Sequence, residues 1–506
     1  MHTFADPLAH ARRTAPGRTA VVCGADRLSF RDLDARCRRL AGALAKLGVQ
    51  PGDRVAILSD NCHRYVEAYL AVPAAGFVLV PLNTRHAAPE LRYALEDSGT
   101  RVLLTDRDAA ALSGLSEVVE TVVSMPDDYE ARLAAASGSE VELGAGVGED
   151  TLAGLFYTGG TTGASKGVML SHRNLIANTF HWLAAVPQGA DDVYMIMAPL
   201  FHAAGSLGVL GCTWMGARQV VLPAFDPAAA LDLVAAEKAT ATLGVPAMLS
   251  GIAELQHAEP REAGSLRMLA HGGSPIATEV VRRCHSAFPA AEMVEVYGAT
   301  ELSPLATLLR HEEGRVDEPR GRSCGQAMAG VEVRICDADG NEVAPGEVGE
   351  LVVRGPNVML GYWNKPEQTE AVLRDGGYWT GDLGYADDEG YVFLVDRSKD
   401  MIVSGGENVY CTEVEEVLYK HPAVLEAAVF GVPDDTWGEA VHAVVVPREP
   451  VSADDLIAFC HQHIGGYKVP KAIDLQDEPL PKSGPGKVLK RDLRAPFWEG
   501  RDRGIN

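Results

Sequence analysis

The chain has no pair of cysteines at the spacing of a zinc knuckle or a redox motif. Its nine cysteines (Cys23, Cys37, Cys62, Cys212, Cys284, Cys324, Cys336, Cys411 and Cys460) are scattered singly. That excludes a cysteine-based zinc module and a disulfide framework. They read as small buried hydrophobes in a reducing compartment. Positive charge is also scarce: 45 Lys and Arg stand against 69 Asp and Glu, a net charge of −24. A nucleic-acid partner is therefore not expected, and any polyanionic ligand must be met by local cations. Long apolar runs are missing. The longest, Ala71 to Leu82, is interrupted by proline and glycine and is too short to cross a bilayer. The first residues lack the basic, apolar, small-residue order of a secretory leader. The expectation is a cytoplasmic protein with no integral membrane segment.

What is present is length and alternation. The 506 residues are enough for two or more compact units. Residues 28–47 read as a strand turning into a helix that Ser29 or Asp32 could cap, with Leu33, Cys37, Leu40 and Leu44 near helical spacing. Strands at 55–58, 77–80 and 102–104 alternate with helices at 65–74 and 89–97, the pattern of a mainly parallel layered α/β sheet. These first 130 residues carry no chemical signal and read as scaffold. Residues 133–150 are small, acidic and glycine-rich, and read as a surface linker between two subdomains.

The most informative stretch follows at Leu155 to Asn174, LFYTGGTTGASKGVMLSHRN. Apolar residues end a buried strand. Thr158, Gly159, Gly160, Thr161, Thr162 and Gly163 then form a loop, with Lys166 close behind. Glycines let backbone amides line one concavity, and the hydroxyls and the lysine add donors and a cation, which is what a polyphosphate needs. The Walker register fails, because Ser165 stands where its glycine should precede the lysine. Other runs are His202 in P-L-F-H-A-A-G, H-G-G-S-P at 271–275, E-V-Y-G-A-T-E at 295–301, Y-W-T-G-D at 378–382, D-R-S-K-D at 396–400, S-G-G-E at 404–407 and P-K-S-G-P-G-K at 481–487.

Taken in this order, these runs resemble the signatures of the adenylate-forming superfamily of acyl-CoA synthetases, luciferases and peptide-synthetase adenylation domains. Gly159 and Ser165 depart from its phosphate loop, where Ser or Thr and Pro are usual. Arg322 and Ala327 depart from a later G-x-x-G-x-P loop. The fold implied is α/β: a large N-terminal domain of layered α/β sheets plus a β subdomain over 1–396, a hinge at 397–400, and a small mobile α+β C-terminal domain over 401–506.

The resemblance also implies roles. Thr158 to Gly163 and Lys166 would bind the phosphates of ATP, with Gly273, Ser274, Pro275, Glu295, Val296, Tyr297, Gly298, Ala299 and Thr300 around the nucleotide. Asp382 and Arg397 would reach the ribose. Glu301, with Thr158, would hold Mg2+, for which oxygen ligands are suited. His202, Ala203, Gly205, Gly272 and Gly298 would line the acyl site, small residues there leaving room for substrate. Lys487 would bridge the carboxylate and the α-phosphate, and Glu301 and His202 complete the catalytic set. Lys399 would be the hinge, and Ser404, Gly405, Gly406 and Glu407 would line the CoA tunnel.

The implied reaction is an AMP-forming carboxylate–CoA ligation using ATP, Mg2+ and CoA. A medium- or long-chain fatty acid is the expected substrate, and an aryl or alicyclic acid is the alternative. An acyl-AMP ligase loading a carrier protein, and an inactive nucleotide- or acyl-binding protein, are the further readings. The same resemblance is compatible with a homodimer, and with a lysine acetyltransferase and deacetylase acting on Lys487.

Overall fold

The structure is a computed structural model. It describes residues 2–499 apart from 109–110, 159–164, 275, 277, 313–314, 317, 398–399, 405–406, 435–436 and 483–487. The chain divides into two compact units. One comprises residues 1–333 and 353–378, the other 334–352 and 379–506. The sequence reading grouped the small β region with the N-terminal domain, whereas the contacts group most of it with the C-terminal residues.

The first unit is built on two sheets. The larger runs, in spatial order, Gln326–Ala327, Leu305–His311, Glu292–Gly298, Met268–Gly272, Ala241–Gly244, Val193–Ile196, Arg218–Val221, Thr19–Cys23 and Asp26–Ser29. Its interior pairs, from Glu292–Gly298 across to Thr19–Cys23, are all parallel, and the outer pairs are antiparallel. The second sheet runs Gly361–Tyr362, Lys166–Ser171, Leu152–Thr158, Val78–Pro81, Arg54–Leu58, Thr100–Thr105 and Thr121–Ser124. The expected layered α/β architecture is thus observed. Its parallel strands, such as Val78–Pro81, are buried along their whole length and so read as continuous apolar runs.

The helix Phe30–Lys46 shows how the local code works. Ser29 accepts from the Asp32 amide and Asp32 reaches back to the Ser29 amide, a reciprocal capping box. Leu33, Cys37, Leu40 and Leu44 then fall on one face and are fully buried.

The 133–150 segment corrects an expectation. It begins as the last turn of the helix Asp127–Ala135 and does not join two subdomains. It leads from that helix to Leu152–Thr158, and the strand before the helix, Thr121–Ser124, belongs to the same sheet. It is also pinned down: Lys46 pairs with Glu140, and the Gly144 amide donates to the Ala74 carbonyl at 2.7 Å. Small polar residues marked a loop correctly, but loop composition does not tell which elements the loop connects.

In the second unit, Glu407–Val409, Ile402–Ser404, Gly438–Pro447 and Val424–Asp434 form an antiparallel sheet, with Ala472–Leu475 adding in parallel beside Gly438–Pro447. The helices Cys411–Tyr419 and Ala453–His463 contribute Val414, Leu418, Leu456 and Cys460 to its core. This is the α+β unit expected. Among the described residues no helix is long and apolar enough to cross a membrane.

Candidate active site

The glycine-rich loop is carried by a hairpin. Leu152–Thr158 and Lys166–Ser171 pair antiparallel, so that Thr158 lies opposite Lys166. Ser165 closes the neck by donating from Oγ to the Thr158 carbonyl at 2.7 Å. The Ser that replaces proline therefore supplies a hydrogen bond at the neck. Residues 159–164 themselves, Gly159 to Gly163 among them, lie outside the described residues.

The hairpin is braced from elsewhere in the chain. Tyr157 donates to Asp97 at 2.7 Å, and the indole of Trp363 donates to the Asp97 carbonyl at 3.0 Å. The Trp363 amide donates to the Gly167 carbonyl, and Gly361–Tyr362 pair with Val168 and Met169. Tyr362 thereby reaches two expected site residues at once. Its hydroxyl donates to Glu301 Oε1 at 2.8 Å, and Lys166 Nζ lies 4.7 Å from its ring centroid. Burial, with the Glu301 charge second, holds the Tyr362 phenol far above its ordinary pKa, so it stays a donor.

Glu301 sits on a short 3-10 turn, Thr300–Leu302, just past the strand Glu292–Gly298. Its backbone carbonyl accepts from Met359 at 2.8 Å. Gly298 has no substitute here, because a Cβ would lie 1.9 Å from the Pro304 carbonyl oxygen. Three asparagines hold this turn. Asn178 brackets Leu305 through both its donor and its acceptor, Asn357 donates to the Leu302 and Leu305 carbonyls, and Asn174 donates to those of Pro356 and Val358.

Gly272 ends the strand Met268–Gly272, which lies parallel beside Glu292–Gly298 with Gly272 opposite Val296, and Gly273 and Ser274 follow it. The two expected nucleotide-binding turns thus leave neighbouring strands on the same edge, where parallel α/β sheets place their ligands. The Glu295 carboxylate is engaged with His311 at 3.1 Å. Pro275 lies outside the described residues.

His202 follows the strand Val193–Ile196 in a turn closed by the His202 and Gly205 amides. Asn61, from the region read as plain scaffold, positions it. Its Oδ1 accepts from the Leu200 amide at 2.8 Å and its Nδ2 donates to Ala198 and Leu222. Burial is the main cause that lowers the His202 pKa to about 4, with Arg85 and His86 adding to it, so the imidazole is neutral. Its Nε2 is buried without a partner among the described residues. Ala203 is buried beside it. A Cβ on Gly205 would meet Leu200 at 3.0 Å, and one on Gly208 would meet the Tyr194 ring at 2.6 Å. These glycines let the helix Gly205–Met215 pack closely.

The remaining expected residues lie in the second unit. Asp382 pairs across the strands with Arg397. Its amide donates to Thr380 Oγ1 at 3.0 Å, while Thr380 donates to the Leu351 carbonyl and the Gly381 amide to Glu350. Ser404 is buried in the sheet, opposite Glu407. Of Arg397 and Glu407 only the backbone is described. Lys399, Gly405, Gly406 and Lys487 lie outside the described residues.

Fold and site together define an adenylate-forming enzyme. Residues 8–363 match the AMP-binding enzyme family and residues 413–487 match the AMP-binding enzyme C-terminal domain. A feruloyl-CoA synthase of Amycolatopsis sp is 41% identical, covering 96% of this chain and 97% of the relative. A long-chain-fatty-acid–CoA ligase of Bacillus subtilis is 35% identical, covering 94% and 91%. The solved O-succinylbenzoate coenzyme A synthetase of Bacillus subtilis, in complex with ATP and magnesium ion, superimposes with a TM-score of 0.85. It shares 31% identity and the match covers 96% of this chain and 98% of that one. The chain belongs to the AMP-binding enzyme family. It is an AMP-forming acid–thiol ligase of the acyl-CoA synthetase kind.

Proposed function

We propose that this ligase joins an arylpropenoic acid of the ferulate type to CoA. The observation that carries the reading is the feruloyl-CoA synthase relative, alike over nearly the full length of both chains. The fatty-acid reading keeps the support of the 35% identical relative.

In the first half-reaction the carboxylate attacks the α-phosphorus of ATP and pyrophosphate leaves, giving an acyl-adenylate. Two anions must meet, so the protein's task is to neutralise charge and align the attack. Lys166 and the hairpin loop would face the β- and γ-phosphates. The donor set fits Mg2+: Glu301 and Thr158 offer hard oxygens, and the carboxylate is oriented by Tyr362. When bound, the ion supplies charge neutralisation at the phosphates. Lys487 would meet the charge growing between carboxylate and α-phosphate. Neutral His202 would present its unpartnered Nε2 to the acyl group. In the second half-reaction the CoA thiol displaces AMP. Rotation about Lys399 would withdraw Lys487 and bring up Ser404 to Glu407.

The test is pyrophosphate release with a panel of acids, followed by mass detection of the thioester with free CoA. Ferulate should exceed dodecanoate by about tenfold or more in kcat/KM, a difference of about 1.4 kcal/mol. A preference for the saturated chain overturns the substrate. Adenylate without CoA thioester points to a carrier-protein acceptor, and no pyrophosphate with any acid points to a binding protein.

A further inference from the structure

Three strands of the large sheet bring two imidazoles and a carboxylate together away from the expected magnesium ligands. His271 and Glu295 are register partners on parallel strands. Glu295 faces Leu309 across the next pair, and His311 lies two residues beyond Leu309. Side chains two apart on a strand share a face, so all three project from the same side. His271 Nε2 lies 3.3 Å from His311 Nε2, and His311 Nε2 lies 3.1 Å from Glu295 Oε2. One ligand atom from each residue falls within 4.8 Å of the others. Both histidines are buried. The Glu295 side chain is 16% exposed, so the open side of the cluster is the carboxylate.

The protons in this cluster do not balance. A neutral imidazole has one N–H and one lone pair. Both Nδ1 atoms are buried without a partner among the described residues. Each ring is therefore left with its Nε2 alone. If His311 donates from Nε2 to Glu295, the N–H of His271 is stranded on its Nδ1. If His271 donates to His311, the His311 lone pair meets the carboxylate at 3.1 Å. A cation between the three atoms engages both Nε2 lone pairs and the carboxylate oxygen at once, with the proton of each ring left on its Nδ1. Two ligands about 2.0–2.1 Å from a tetrahedral ion lie roughly 3.3 Å apart, the separation seen between the two nitrogens. Two histidines and one glutamate form a borderline donor set suited to Zn2+ and unlike the oxygen set of Mg2+.

We propose that His271, Glu295 and His311 form a transition-metal site of the zinc type, distinct from the magnesium site expected at Glu301. An ion there ties together Met268–Gly272, Glu292–Gly298 and Leu305–His311, the strands from which the nucleotide turns emerge. The Nδ1 atoms give the histidines no outer hydrogen bond, which weakens metal binding by about 10–100-fold relative to a fully supported site. The site is thus one that a chelator strips.

The experiment uses the full chain, stripped with a chelator, dialysed, and kept free of magnesium and nucleotide. Zn2+ is titrated by calorimetry and Co2+ by visible absorption. One equivalent of each should bind, Co2+ giving a tetrahedral spectrum without a thiolate charge-transfer band, and Zn2+ should raise the melting temperature. Glu295→Gln, a conservative change at the open side, should weaken Zn2+ binding at least about tenfold, and His311→Gln should do the same. Zinc affinity unchanged in folded Glu295→Gln, a thiolate band that assigns the ion to cysteine, or no Zn2+ binding at micromolar concentration overturns the proposal.

Discussion

The Tyr362 hydroxyl donates to Glu301 Oε1 at 2.8 Å, and the same ring lies under Lys166, 4.7 Å from Nζ to centroid. One aromatic residue thus couples an expected metal ligand to an expected phosphate ligand. Tyr362→Phe keeps the ring and its cation–π contact and removes only the hydroxyl. A hydrogen bond to a charged group contributes about 1.5–3 kcal/mol, so the Mg2+ needed for half-maximal pyrophosphate release should rise about tenfold. An unchanged Mg2+ titration would mean that Glu301 needs no help from Tyr362.

Gly298→Ala should be severe. The added methyl would sit 1.9 Å from the Pro304 carbonyl oxygen, which is backbone and cannot swing away. A loss of about 3 kcal/mol is expected from forced overpacking, read by denaturant unfolding. Gly466→Ala is the control, since nothing lies within 4 Å of its Cβ position. It should stay within about 0.5 kcal/mol of the parent.

Stability should fall in mild acid. Burial lowers the pKa of His63, His172 and His202 to about 4. The unfolded chain binds these protons near pH 6.5 and the folded chain only near pH 4, so stability is present above this window and is lost as pH falls through it. Each histidine contributes about 1.4 kcal/mol per pH unit to the slope. His172→Gln should make the slope of unfolding free energy against pH shallower by one proton between pH 6 and 4.5. An unaltered slope would show that His172 is not a source of the acid sensitivity.

The two half-reactions should separate genetically. Lys487→Ala should abolish adenylation, by about 3 kcal/mol or more in the barrier, and spare thioester formation from supplied acyl-adenylate. Lys399→Pro, which fixes φ at the expected hinge, should do the reverse. Equal loss of both half-reactions in Lys487→Ala would sink the alternating scheme, and normal thioester synthesis in Lys399→Pro would move the pivot elsewhere. Acetylated Lys487 should behave as the alanine variant, because acetylation removes the charge. Mass spectrometry after incubation with an acetyltransferase checks this.

The residues expected to carry the chemistry were legible in the sequence because they are contiguous. Thr158, Lys166, Tyr297 and Glu301 stand in short runs whose residue types suit phosphate and metal binding, and capping at Ser29 was readable from its neighbours. What supports them was not. Asn61 reaches Leu200 across 139 residues, and Trp363 reaches Asp97 across 266. A lone asparagine or tryptophan carries no mark of such a partner, because the contact exists only once elements distant in the chain have packed together. The His271–Glu295–His311 cluster escaped for the same reason, since strand register, not sequence spacing, brings it together.

The pairing of Gly361–Tyr362 with Lys166–Ser171 has a consequence during synthesis. Until residue 362 leaves the ribosome, the strand that carries Lys166 has an open edge, and it waits there while nearly two hundred further residues are made. Unpaired edges invite pairing with other chains. A nascent chain that stalls in this interval should depend on chaperones, and one that has passed it should not.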